Sequence, residues 1–145
     1  MAYALTGDLV ASRTDTTSST AETTTTAITS VDLYRQGTFV LAITAGSGTG
    51  SFTLDVAIQG YKAGYAWTDI ARFSQMTATG TRFLHAVGST VGTGSTTVEE
   101  AAQSLDITVG TVRPGPMGTQ LRAIYTLVIT GSYSVTWTVQ YGLHS

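Results

Sequence analysis

Two histidines, nine carboxylates and no cysteine are all that this chain of 145 residues offers to acid–base, nucleophilic or metal chemistry. General acid–base work needs a histidine with an orienting partner, or two carboxylates held close enough to push their pKa values apart. His85 lies in Thr81-Arg-Phe-Leu-His-Ala-Val87 and, by simple alternation, shares a face with Phe83 and Val87, so a partly buried histidine at a seam is expected rather than a base. His144 stands one residue from the end of the chain, where termini are usually mobile. Glu99 and Glu100 are adjacent, which turns their side chains about 100° apart on a helix and to opposite faces on a strand. A glycosidase pair drawn from distant positions stays open on sequence alone.

The remaining chemical signatures dissolve in the same way. Gly46-Ser-Gly-Thr-Gly50 and Gly92-Thr-Gly-Ser-Thr96 have the composition of phosphate loops, but neither runs into Lys-Ser or Lys-Thr at the head of a helix, so both read as turns. No pair of histidines has ligand spacing, no acidic loop has the calcium pattern, and no Gly-x-Ser-x-Gly nucleophile occurs. The expectation is a protein that is not an enzyme and takes no cofactor or metal.

Composition says what the chain is built for instead. Hydrophobic residues make up 42% and charged residues only 11%, less than half of the roughly 25% usual for a soluble protein. Polarity comes from hydroxyls: threonine supplies about a fifth of the residues, and its β-branched side chain favours strands. The net charge is −2. The single lysine, Lys62, and six arginines are scattered, which suits individual ion pairs and argues against a nucleic-acid footprint. Nothing at Met1-Ala-Tyr-Ala-Leu-Thr-Gly-Asp8 has the basic start and apolar run of a secretory leader, and no apolar run approaches the roughly 20 residues of a membrane span. Synthesis in the cytoplasm and a soluble fold with no membrane partner are expected.

The clearest structural signal is Ser51-Phe-Thr-Leu-Asp-Val-Ala-Ile-Gln-Gly60, whose period of two puts Phe52, Leu54, Val56 and Ile58 on one face and Thr53, Asp55, Ala57 and Gln59 on the other. Asp55 is thereby expected in solvent or in an ion pair at an interface. Similar patterns predict strands over Ser30–Tyr34, Thr38–Ala45, Ser51–Tyr61, Ala66–Ser74, Thr81–Val87, Leu105–Val109, Gln120–Thr130 and Ser134–Tyr141. Gly46–Gly50 and Gly131–Tyr133 are predicted to be hairpin loops, with Leu121, Ala123, Tyr125, Leu127, Ile129, Val135, Trp137, Val139 and Tyr141 facing inward around the second. Thr97–Ser104 carries a capping-box pattern and reads as either a short helical turn or a loop. The class is therefore all-β, an antiparallel β-sandwich or jelly roll of about eight strands. Residues 1–30 form a strand and a Thr-rich connector, an extended N-terminal arm too polar to order itself, ahead of a sandwich domain over 31–145.

Tyr61, Tyr65 and Trp67 gather at the turn near Gly60–Ala66, where aromatic side chains can stack on a sugar or anchor a protein partner; Trp67 packed inward is the plainer alternative. With few charges and many alanines, threonines and valines, much of the surface suits burial against identical copies. The run Phe52-Thr-Leu-Asp-Val-Ala-Ile-Gln-Gly-Tyr-Lys-Ala-Gly-Tyr-Ala-Trp-Thr-Asp-Ile70, followed by Phe73-Ser-Gln-Met-Thr-Ala-Thr-Gly-Thr81, resembles small virion proteins of tailed bacteriophages, as do Leu121-Arg-Ala-Ile-Tyr125 and Val135-Thr-Trp-Thr-Val139. The resemblance covers about half of the chain, and the Thr-rich arm and Gly88–Ser104 depart from it.

That resemblance implies a capsid decoration, or cement, protein: a β-sandwich subunit, often a homotrimer, that clips onto the major capsid protein on the outside of the head. Its arm would add a strand to a neighbouring edge. The partner contacts expected on this reading are Tyr3, Leu5, Leu9 and Val10 on the arm, and Tyr61, Tyr65 and Trp67 at the turn. Two other readings stand beside it, a different virion component of the neck, tail or head fibre, and a carbohydrate-binding sandwich.

Overall fold

A computed structural model describes residues 4–19, 23–62, 66–87, 109–112 and 118–145. The chain is all-β and antiparallel, and the described residues contain no helix. Its strands are β1 (Ala4–Asp15), β2 (Thr23–Thr24), β3 (Ile28–Thr29), β4 (Gln36–Lys62), β5 (Ala66–Arg72), β6 (Gly80–Val87), β7 (Thr111–Val112) and β8 (Gln120–His144). All eight belong to one strongly curled sheet with the order β1-β8-β4-β5-β7, to which β2 and β3 add along β8 and β6 along β4.

The backbone of the molecule is the pairing of the two long strands, which runs from Gln36↔His144 to Gly60↔Leu121 with one bulge between Ile43 and Ala45. This corrects both predicted hairpin loops. Gly46–Gly50 and Gly131–Tyr133 do not reverse the chain; they lie opposite each other in the ladder, with Gly48↔Tyr133 and Gly50↔Gly131 as partners. The strands predicted over 38–45 and 51–61 are one strand, and so are those over 120–130 and 134–141.

Glycine is needed at this place for curvature rather than reversal. A Cβ on Gly48, whose φ is +133°, would stand 2.2 Å from the Ser132 carbonyl oxygen, and one on Gly50 would stand 2.1 Å from that of Thr130. Only a backbone without side chains brings the two strands this close, and the sheet coils sharply there. Phe52 and Tyr133 show the result. The partner of Tyr133 is Gly48, four residues from Phe52, yet the two ring centroids are 5.6 Å apart.

The curl divides the sheet into two facing halves. One half is β1, the end of β8, the start of β4 and β6; the other is β2 and β3, the start of β8, the end of β4, β5 and β7. Phe39, Leu41, Trp137, Val139 and Leu143 from the first half and Leu54, Val56, Ile58, Leu121 and Leu127 from the second form a single buried cluster. On β8 the inward residues are odd-numbered throughout, but on β4 they are odd up to Ile43 and even from Phe52 onward. A bulge between Ile43↔Trp137 and Ala45↔Thr136 makes the change. One extra residue in β4 shifts its parity, so both apolar sets face the same interior.

The expected inward sets around Phe52 and Trp137 are found buried, with Ile129 and Tyr141 half-buried. Other expectations change. The strand predicted over 30–34 is replaced by the two-residue β3 and a turn in which Tyr34 N donates to Val31 O at 3.0 Å; Ser30 has φ of 60°, which ends the pairing. His85 is exposed, with Nδ1 2.9 Å from Thr38 Oγ1, because its face of β6 is the outer one. His144 is held in the ladder, and its carbonyl accepts from Arg35 N at 2.9 Å. The predicted helical turn over 97–104 and the strand over 105–109 lie almost wholly outside the described residues, of which Val109 alone falls among them.

The N-terminal segment lies within the sheet of its own chain. β1 pairs with β8 from Ala4↔His144 to Asp15↔Val135, and the polar connector follows β8 upward by a device that composition does not reveal. Ser18 and Ser19 turn their hydroxyls onto the backbone: Ile129 N donates to Ser18 Oγ at 2.7 Å, and Leu127 N to Ser19 Oγ at 2.8 Å. Ala123 N likewise donates to Thr25 Oγ1 at 2.9 Å. Beside the short strands β2 and β3, side-chain oxygens take the place of backbone carbonyls along this edge of β8, and Ser19 N and Thr25 N return bonds to Leu127 O and Ala123 O at 2.8 and 3.0 Å.

Candidate interaction surface

Two surfaces merit attention, and they lie on the outer faces of the two half-sheets. On the second half, Gln59, Asp69 and Arg122 share one row, since Gln59 pairs with both. Alternation puts this row on the outside, yet Gln59 and Asp69 are 0% exposed and Arg122 only 9%. Arg122 Nε donates to Gln59 Oε1 at 3.0 Å, and Gln59 Nε2 donates to Asp69 Oδ1 at 2.9 Å. The amide thus passes a hydrogen-bond chain from cation to carboxylate. Burial lowers the Arg122 pKa from its usual value, but a guanidinium starts so high that it keeps its charge.

Trp67 and Tyr61 complete this cluster. They are opposite partners at the end of the β4–β5 hairpin, with ring centroids 5.4 Å apart and planes at 50°. The Arg122 guanidinium lies 4.2 Å from the Trp67 ring centroid, a cation–π contact worth up to about 2 kcal/mol when shielded from water. One face of Trp67 is therefore covered by the arginine, and the ring is half-buried. Sequence reasoning singled out Tyr61 and Trp67 and missed Arg122, Gln59 and Asp69, because the polar row falls on a face that alternation assigns to solvent.

The other residues expected to touch a partner are placed as follows. Leu9 and Val10 are 5% exposed and belong to the core; β1 has register shifts on both sides of Val10, which turn both side chains inward. Leu5 is half-buried and packs against the core. Tyr3 and Tyr65 lie outside the described residues. Arg13, which was not singled out, donates from Nη1 to Tyr125 Oη at 3.1 Å and pairs with Asp15, whose Oδ2 accepts from Trp137 Nε1 at 2.8 Å. The hydrogen bond that Arg13 donates to the Asp15 carboxylate raises the Arg13 pKa.

The outer face of the first half-sheet is different in kind. Thr6, Asp8, Thr38, Val40, Gln140 and Gly142 line a shallow groove of about 410 Å³. At the β6 side of the same face Phe83 is 60% exposed. Asp8 is the one carboxylate on this groove, and hydroxyl, amide and aliphatic groups make up the rest. Covering such a surface costs hydration at Asp8, Gln140 and the threonine hydroxyls unless the covering protein hydrogen-bonds them, which makes the face selective for a complementary partner.

Among the described residues no group of three or more His, Asp or Glu side chains could hold a metal ion, and no helix is long and apolar enough to cross a membrane. No protein-family model matches the chain, and no curated protein matches it significantly. Among solved structures, the chain is similar to one in the structure of infectious bursal disease virus Gx strain, with a TM-score of 0.47 and 10% sequence identity over the whole of this chain. The match spans 38% of that viral chain.

Proposed function

We propose that this chain is a structural virion protein of the capsid-decoration type, a self-associating β subunit that binds the major capsid protein on the outer surface of a head. The observation that supports this most is the outer face of the first half-sheet, a groove of hydroxyl, amide and aliphatic groups with Asp8 as its one carboxylate, beside the exposed Phe83. The resemblance of 52–81 to small virion proteins of tailed bacteriophages points the same way. On this reading the molecule acts by shape. Its sheet faces bury surface across neighbouring capsid subunits, and many modest contacts repeated by symmetry resist outward pressure on the shell. It performs no catalysis.

Binding of the purified chain to capsids that lack it, followed by sedimentation, tests this. Saturable co-sedimentation that Val40→Lys or Phe83→Lys weakens at least tenfold is the expected result. Failure to bind heads, with binding instead to tails or to glycans, would overturn it. Glycan binding has little support from the stack at Trp67, one face of which is occupied by Arg122.

A further inference from the structure

The chain between β5 and β6 closes on itself around a polar pocket. Residues 75–82, which include Thr77-Ala-Thr-Gly-Thr81, line a space of about 320 Å³. The start of this loop is fixed to β4: Leu54 N donates to Met76 O at 2.8 Å, Met76 N donates to Leu54 O at 3.0 Å, and the Met76 side chain is 4% exposed. Its end is fixed to β4 as well. Gly80, with φ of +152°, turns the chain into β6 and pairs with Ile43. Thr77, Ala78 and Thr79 are thus held between two anchors, so a ligand that contacts them has little ordering cost to meet.

What this pocket offers is hydrogen-bond donors. Arg82 pairs with Leu41, which is buried, yet Arg82 itself is exposed, its stem carrying the guanidinium out of the apolar row to the pocket. Among the described residues the salt bridge is that of Arg13 with Asp15, and Arg82 makes neither an ion pair nor a side-chain hydrogen bond. Its five N–H donors are open. The hydroxyls of Thr77, Thr79 and Thr81 are likewise unbonded, and the N–H groups of Thr77, Ala78 and Thr79 have no backbone acceptor among the described residues. No carboxylate lines the pocket. Asp55 touches the loop from outside that lining, accepting from Gln75 Nε2 at 2.7 Å.

We infer that the pocket over residues 75–82 binds a carboxylate, with Arg82 supplying the charge and Thr77, Thr79 and Thr81 the neutral donors. A guanidinium matches the two oxygens of a carboxylate with two parallel N–H groups. The pocket holds one cation, which balances a single negative charge and leaves the second charge of a phosphate unanswered. A nucleic-acid backbone would need a row of such cations. The inference stands apart from the capsid reading, since it depends on the loop alone.

Amide chemical shifts of the full isotope-labelled chain, titrated with sodium acetate at constant ionic strength in chloride, test this. Acetamide serves as the uncharged probe of the same shape. Saturable shifts at residues 75–82 are expected with acetate, with a Kd on the order of 10 mM for one solvent-exposed ion pair helped by hydroxyls. Arg82→Gln should weaken acetate at least tenfold, and Arg35→Gln, at another exposed arginine, should leave it unchanged. Arg82 is exposed, so the remaining amides of the variant report an intact fold. No saturable shift with acetate, equal shifts with acetamide, undiminished binding by Arg82→Gln, or inorganic phosphate binding more tightly than acetate would each overturn the proposal. Co-sedimentation of Arg82→Gln with capsids separates two sources of the carboxylate. Binding to heads weakened at least fivefold would assign it to an acidic side chain of the capsid partner, and unchanged binding to heads beside acetate binding would assign it to a small free carboxylate; both support the pocket. A parent chain that binds no heads ends the capsid reading, and the acetate titration still decides the pocket.

Discussion

Tyr125 and Trp137 meet edge to face with ring centroids 4.8 Å apart and planes at 68°, although both belong to β8 and twelve residues separate them. A straight strand of that length would hold them about 40 Å apart. The contact therefore records how far the long strands curl, and it closes the two halves of the sheet on each other. Trp137 is fully buried, and Arg13 lies over both rings at 5.8 and 5.9 Å from their centroids. Trp137→Ala is expected to lower stability by about 3–5 kcal/mol, and Trp137→Phe by less, as followed by urea unfolding. A loss below 1 kcal/mol for the alanine variant would mean that the halves do not depend on this contact.

The bulge at Thr44 makes a sharper demand. Deleting Thr44 removes the parity change in β4, so either Phe39, Leu41 and Ile43 or Phe52, Leu54, Val56 and Ile58 must face solvent. The deletion variant is expected to lose cooperative thermal unfolding, whereas Thr44→Ala, at an exposed position, stays within about 0.5 kcal/mol of the parent. A stably folded deletion variant would contradict the register.

Gly48→Ala and Gly50→Ala test the curl itself. Each is expected to destabilise by roughly 1–3 kcal/mol, since the added methyl would meet backbone oxygen rather than a side chain that can move. Ser47→Ala, on the exposed side of the same ribbon, serves as the control. Equal unfolding midpoints for all three would show that the strands have room there.

At the polar row, Gln59→Leu breaks the hydrogen bonds to Arg122 and Asp69 together and leaves the buried guanidinium short of an acceptor. A loss of about 1.5–3 kcal/mol in chemical denaturation is expected, because hydrogen bonds to charged groups are the stronger ones. Arg122→Met combined with Gln59→Leu should recover part of that loss, as replacement of buried charge by apolar volume often does. A double variant less stable than Gln59→Leu would contradict this account of the row.

The hydroxyl contacts of the connector are testable residue by residue. Ser18→Ala with Ser19→Ala is expected to speed amide exchange at Ile129 and Leu127, whose N–H groups then lack their acceptors, while Val139 and Leu41 keep their protection. Unchanged exchange at both amides would show that the connector does not hold the edge of β8.

How much of this was legible in the residues depends on the range of the interaction. Period-two patterns named the inward residues around Phe52, Tyr125 and Trp137 correctly, because alternation is dictated by the strand itself. The glycine clusters were misread. Gly-Ser-Gly-Thr-Gly satisfies the needs of a tight turn and of a close strand crossing equally well, and only the partner strand, with Gly131 opposite Gly50, decides between them. The odd-to-even change between Ile43 and Phe52 is written in the sequence, but it reads as two strands unless a bulge is considered. The Thr- and Ser-rich connector had no apolar pattern to follow, and its order comes from its own hydroxyls accepting from backbone N–H groups of a strand about a hundred residues away. Arg122 and Gln59 were missed because burial of an outer face is a tertiary property.

Immunogold electron microscopy of particles assembled in cells producing this chain from its natural genome tests the central claim most directly. Antibody raised against the full chain is predicted to label the outer surface of intact heads in a regular, dense array. Labelling confined to tails, or particles without label while the chain remains free in the lysate, would contradict it.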